Sequence, residues 1–239
     1  YAQEYARLVA NFNIPGEQAE KQAKIFAEEM AKPGTSYYSA VEYARLVADL
    51  NIPGEQAKKQ AVIFAEEMAK PGTSYWYAAE YARLVASLDI PGEQAKKQAK
   101  IYADEMAKPG ANYWYAVEYA RLAANRDITE AQAERRAKIY ADEMAKSGTN
   151  YLYAQEYARL KTTANLTEAQ ARKQAGIYTD EITKNKKEYI YAKMYAVLVV
   201  TFGINEDIAR ELTETYVMKL EEGKNTVYAS EYIFSMADG

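Results

Sequence analysis

The sequence predicts an all-α protein, an open α-solenoid of six helical hairpins in 38-residue repeats that ends in a C-terminal capping helix. Three observations carry this. Tyr5, Tyr43, Tyr81, Tyr119, Tyr157 and Tyr195 recur every 38 residues, and Tyr232 follows after 37. Each period holds two amphipathic runs, and helix-breaking punctuation separates them. A lone hairpin of this length cannot bury its apolar stripe, whereas stacked hairpins share one continuous core.

In the first run, Tyr1, Tyr5, Leu8 and Phe12 fall at i, i+4, i+7 and i+11 with Ala2, Ala6 and Val9 beside them, which is one apolar helical face. In the second run, Ala19, Ala23, Phe26 and Met30 form a matching stripe, while Glu17, Lys21, Lys24 and Glu28 place opposite charges at neighbouring positions of the outward side. Pro33 and Gly34 stop the second helix, because Gly supplies a left-handed cap and Pro cannot continue the hydrogen-bond ladder. The second helices start at "IPGEQ", which later copies replace with Thr129 and Gln132, or Thr167 and Gln170, in capping-box spacing. The second copy therefore predicts helices over 36–50 and 53–69, with equivalents at steps of 38. Repeats 1–38, 39–76, 77–114, 115–152, 153–190 and 191–227 make a single domain over 1–239, with the capping helix at 228–239. Tyr228, Tyr232 and Ile233 are expected to be buried against the sixth hairpin. At the other end, Tyr1 opens a nearly intact repeat with no capping segment before it. This reads as a cut from a longer array, whose N-terminal stacking face would fray or associate end to end with another molecule.

With 239 residues, 49% of them hydrophobic, the chain is long enough to bury a core, and its 27% charged residues are mixed in sign, as in a soluble protein. A net charge of −4 without a basic stripe argues against nucleic acid as a partner. No apolar run approaches the length of a membrane span. There is no cysteine and no histidine, which removes disulfides, thiolate metal sites, the sulfur nucleophile and the imidazole base. No cofactor and no metal is expected, and nothing indicates a compartment. The paired acids Glu28 and Glu29, Glu66 and Glu67, and Asp104 and Glu105 read as solvated surface, since adjacent helical residues diverge by about 100°. A glycosidase-type pair needs one special location, whereas these acids recur alike along the chain, so it reads as non-catalytic.

The stretch "KPGTSYWYAAEYARL", residues 70 to 84, sets three large rings ahead of a helix. Trp76, Glu80, Arg83 and Ser87 share one line, about 100° from the Tyr77, Tyr81, Leu84 and Leu88 line expected to be buried. The same line recurs as Tyr38, Glu42, Arg45 and Asp49, and as Trp114, Glu118, Arg121 and Asn125. Two readings stay open. The ladder is a recognition surface, because Trp, Tyr and Arg dominate binding hot spots; or its rings plug the seams between hairpins while Glu and Arg pair between neighbours. A second stripe, Gln18, Gln22, Ile25 and Glu29 with its copies, is expected to bond tyrosine hydroxyls and loop backbone. In the sixth repeat Ile190, Met194 and Val197 replace the ladder on a helix that is apolar nearly all round. Such a helix must be covered, by the C-terminal stub or by a partner.

The arrangement resembles the tetratricopeptide-like class of helical-hairpin arrays. Ala23, Phe26, Ala27 and Pro33 echo the closing pattern of that repeat, although the period is 38 and the Trp-led signature is absent. The resemblance implies a protein- or peptide-binding or scaffolding module and transfers no binding residue. The alternatives are a structural spacer or self-assembling array and, from the aromatic rows, a carbohydrate-binding surface.

Overall fold

The computed structural model describes residues 1–12, 14–125 and 127–237, without the side chains of 11, 12 and 237. Phe12, placed above on the first apolar face, therefore has its side chain outside the described residues, as do the last two residues of the expected cap. Every regular element among the described residues is an α-helix. The chain forms two compact units, Tyr1–Arg126 and Asp127–Gly239.

The first unit holds α1 (Ala2–Phe12), α2 (Gly16–Met30), α3 (Tyr37–Ala48), α4 (Gly54–Met68), α5 (Tyr75–Ser87), α6 (Gly92–Met106) and α7 (Tyr113–Ala123). Consecutive helices within the unit pack on each other. Two kinds of contact alternate along the stack. Within a hairpin, a leucine of the first helix sits on an alanine pair of the second: Leu8 on Ala19 and Ala23, Leu84 on Ala95 and Ala99. Between hairpins, a ring of the second helix sits on an alanine pair of the next first helix: Phe64 on Ala78 and Ala82, Tyr102 on Ala116 and Ala120. Alanines at i and i+4 lie one turn apart on the same face, so each pair makes a shallow socket that draws the backbones together.

The punctuation works as the sequence suggests, with one refinement. Ser36 and Ser74 accept from the backbone N–H of Ser39 and Tyr77 at 3.1 and 3.2 Å and so cap α3 and α5. The turn after α4 passes through Gly72 at φ +76°, a conformation that only glycine adopts without strain. The first helices, however, end earlier than the apolar line implied. Leu88 is the C-cap of α5 and 53% exposed, because Asp89 turns the chain at φ +53°. Ile90 enters the core in its place, and its N–H reaches the Leu84 carbonyl at 3.1 Å. The left-handed residue thus reverses the chain so that the next apolar side chain closes over the helix end. Met30 is also exposed, since it is the last residue of α2 and lies past the socket.

The second unit repeats the scheme in α8 (Glu130–Met144), α9 (Tyr151–Thr163), α10 (Glu168–Thr183), α11 (Tyr189–Val200), α12 (Glu206–Glu221) and α13 (Thr226–Ala237). The capping boxes of Thr129 with Gln132 and Thr167 with Gln170 are both formed. Leu160 sits on Ala171 and Ala175, and Tyr178 on Ala192 and Ala196. α13 packs on α12 through Ala229 and Ile233, both fully buried, and Phe234 meets Phe202 at 4.6 Å. Tyr228 and Tyr232, expected to be buried, are 46% and 38% exposed. They stack on each other at 6.4 Å beneath the ammonium groups of Lys224 and Lys219, whereas Tyr195 on α11 is covered by Arg210 of α12 at 4.8 Å.

In this unit the Tyr157 hydroxyl donates to Glu168 at 2.5 Å, and Arg172 lies 4.5 Å above the Tyr157 ring. The Tyr157 hydrogen bond, helped by Lys161, holds the Glu168 carboxyl down to about 2. A depressed carboxyl contributes stability above its ordinary value of 4.5 and loses it as pH falls through the folded value. The thermal midpoint of the second unit should therefore drop between those limits, and Glu168→Gln should make the drop shallower in differential scanning calorimetry. The stacking makes a second prediction. Leu84→Ala should cost about 2.7–5 kcal/mol in chemical denaturation, because the alanine socket beneath it cannot collapse to refill the space.

Candidate functional site

The ladder residues are built into the first helices by their pairing. Glu42, which sequence periodicity placed beside the outward ring, is 1% exposed, and Arg45 grips it from one turn ahead on the same helix. Arg45 donates through Nε to Oε2 at 2.9 Å and through a terminal nitrogen to Oε1 at 2.6 Å. Arg83 holds Glu80 at 2.8 and 2.6 Å, Arg121 holds Glu118 at 2.9 and 2.6 Å, and Arg7 and Arg159 hold Glu4 and Glu156 in the same way. The pairing thus runs within a helix rather than between neighbours, and the carboxylate is core. Burial alone would favour loss of the Arg45 proton, but the hydrogen bonds and charge of Glu42 overcome it and hold the guanidinium above its ordinary value. Each arginine is fixed in orientation with part of its fork open to solvent.

The rings divide into two classes. Tyr37, Tyr75 and Tyr113, at the first positions of their helices, lie edge-on to Phe26, Phe64 and Tyr102 of the preceding helix at 5.8, 5.6 and 6.4 Å. Tyr38, Trp76 and Trp114 follow at the second position, T-shaped to those tyrosines and each about two-fifths exposed. Trp76 also meets the edge of Tyr102 at 6.4 Å. In the first unit Arg7, Arg45, Tyr37, Tyr38, Tyr75 and Trp76 converge on a cleft of ≈ 480 Å³, floored by Leu8, Gln22 and Phe64 and flanked by Asp49. Sequence periodicity identified Tyr38, Arg45 and Trp76. It missed Tyr37 and Tyr75, because an initial helical turn has no preceding turn from which to count a face.

The helix-two stripe bonds elsewhere than expected. Gln18 donates to Asp49 at 3.0 Å, Gln60 accepts from Ser87 at 3.1 Å, and Gln174 accepts from Thr201 at 3.2 Å, all at the far end of the next first helix. Lys21 and Lys97 reach the Ala48 and Ala124 carbonyls in the same seam. The paired acids also differ from expectation. Glu28 and Glu66 are exposed, but Glu67 is buried and holds Lys70 at 2.5 Å, and Glu105 holds Lys108 at 2.6 Å near the helix end.

In the second unit, Ile190, Met194 and Val197 line a smaller cleft of ≈ 430 Å³ with Tyr216 and Leu220 of α12 and Thr226 and Ser230 of α13. The stub thus supplies part of the cover, packing beside Met194 and leaving Ile190 exposed. A third cleft, ≈ 510 Å³, opens beside Tyr43, where Ser39 replaces the tyrosine that stacks on this ring in the other hairpins, as Tyr77 does on Tyr81 at 5.9 Å.

No family model, curated protein or solved structure matches the chain. Among the described residues, no helix is long and apolar enough to cross a membrane.

The buried pair makes a stability prediction. Arg45→Met should destabilise the first unit by about 3–5 kcal/mol, because it strands the Glu42 charge, and adding Glu42→Met should recover most of the loss. Urea titrations of the two variants measure the difference.

Proposed function

We propose that the chain is a non-catalytic recognition module that binds a segment of another protein along the ring and arginine ladder of the first helices. The observation that carries this is the cleft of the first unit, where four aromatic rings and two oriented guanidinium forks converge and remain accessible. Exposed aromatic clusters of this kind are uncommon on surfaces without partners, and Trp, Tyr and Arg supply most binding energy at interfaces. The hairpin stacking supports the likeness to tetratricopeptide-like arrays, which usually serve as protein-binding scaffolds. The net charge of −4 and the absence of a basic stripe point away from nucleic acid. The carbohydrate reading has the rings in its favour, but the ladder carboxylates Glu42, Glu80 and Glu118 are each buried and held by an arginine rather than offered to a sugar hydroxyl.

A second reading, a structural spacer or self-assembling array, draws support from the inner rings. Tyr37, Tyr75 and Tyr113 are held edge-on by the preceding hairpin and so knit the stack. End-to-end association belongs to this reading, with exposed Ala2 and Ala6 at the positions where Ala40 and Ala44 are covered in the next copy.

The two readings separate at the outer rings. Trp76→Ala with Trp114→Ala should abolish capture of peptides selected from a displayed random library, a loss of at least about 2 kcal/mol per hot-spot ring, with the thermal midpoint nearly unchanged. A collapsed midpoint, or full binding by the variant, would establish the spacer reading instead.

A further inference from the structure

The cleft in the first unit differs from the corresponding residues of the next repeat at a position that decides its hydrogen bonding, where Asp49 stands in place of Ser87. Gln22 is 2% exposed, lines the cleft, and its carbonyl oxygen Oε1 has no hydrogen-bond partner. A buried acceptor left open is costly, and native folds rarely tolerate one without a donor supplied from somewhere. In the equivalent seams the donor is a hydroxyl of the next first helix: Ser87 serves Gln60, and Thr201 serves Gln174. At the matching position the second repeat carries Asp49, 38 residues before Ser87, and an ionised carboxylate can only accept. Asp49 itself receives one N–H, from Gln18, through Oδ1. The cleft therefore holds two acceptors, Gln22 Oε1 and the Asp49 carboxylate, and lacks the hydroxyl donor that serves Gln60 and Gln174.

We infer that this position takes the ammonium of a lysine side chain presented by the bound protein segment, with Asp49 and Gln22 as its acceptors. Charge favours a cation here. Arg7 and Arg45 hydrogen-bond their own Glu4 and Glu42, so Arg45 meets Asp49 through charge alone, and Lys21 reaches the Ala48 carbonyl and does not line the cleft. An ammonium has three donors and no acceptor, so it can serve both oxygens at once. Its methylene stem can lie along the apolar part of the cleft lining while the charged head meets the two oxygens. A guanidinium would suit less well, because its planar fork calls for two acceptors on one carboxylate, and Gln18 already occupies one of them.

This assignment rests on the recognition reading above and deepens it, and the test separates the two. N-acetyl-lysine N-methylamide, its Nε-acetylated counterpart and the norleucine analogue are titrated into the full chain, following the Gln18 side-chain amide, which donates to Asp49, by nuclear magnetic resonance with Gln18→Met as the assignment control. The free ammonium compound should give a saturable shift and the other two should not. Asp49→Asn keeps the shape, removes the charge and supplies a donor to Gln22, and should weaken the ammonium compound about tenfold or more. Asp49→Ser, which installs the residue of the third repeat, should do the same. No shift, an equal response to the norleucine analogue, or undiminished binding by both folded variants would overturn the assignment. Library peptides that need Trp76 but are indifferent to lysine would overturn it while leaving the recognition reading standing. Saturable binding of the lysine compound with no peptide selected would do the reverse.

Discussion

The constraint from which the rest of the structure follows is the alanine pair. A helix that offers two alanines one turn apart has no side chain of its own to fill the space above them, so a neighbour must insert a large apolar group. The contact recurs along the stack, with Leu8, Leu84 and Leu160 filling sockets inside hairpins and Phe64, Tyr102, Tyr140 and Tyr178 filling those between them. Because alanine costs nothing in helix propensity, the residues that form the sockets also stabilise the helices that carry them. The close approach then fixes what can stand at the margins of each seam. On the first helices a glutamate beside the socket is drawn into the interior, and an arginine one turn ahead on the same helix accompanies it. The outward aromatic and the fixed guanidinium are thus by-products of tight packing before they are anything else.

This explains why the fold was legible and the site only partly so. The 38-residue spacing of tyrosines, the Thr and Gln capping boxes and the Pro-Gly stops each have a local cause, and each is present in the structure. Periodicity also placed Trp76 and Tyr38 outside the core. It went astray at Glu80, whose angular position lies only about 40° from Trp76 yet on the buried side, because a 100° step says nothing about how wide the contact face is. It failed at Leu88, where a left-handed Asp89 ended the helix early, and at Tyr228 and Tyr232, whose counterparts in earlier hairpins are covered by a following helix.

The feature that distinguishes the first cleft was written in the sequence but not as a motif. Reading one position down the repeats gives Asp49, Ser87, Asn125, Thr163 and Thr201, so the second copy alone among them carries an acid. That column has no meaning until the structure sets it against Gln22, Gln60 and Gln174 across the seam. Comparison between copies of a repeat therefore does some of the work of an alignment, provided the contacts are known.

A stack whose sockets take a leucine and a ring in alternation has a consequence for how the chain finds its own fold. Neighbouring sockets are nearly identical in chemistry, so side-chain matching alone does not say which helix belongs on which. Discrimination falls to the tethers. The segment between Met68 and Tyr75 is only a few residues long, and the chain on its far side is held at high effective concentration against one socket and far lower against all others. Sequence order thus acts as the address label that the interfaces do not carry, and lengthening one tether would trade a unique stack for a set of competing registers.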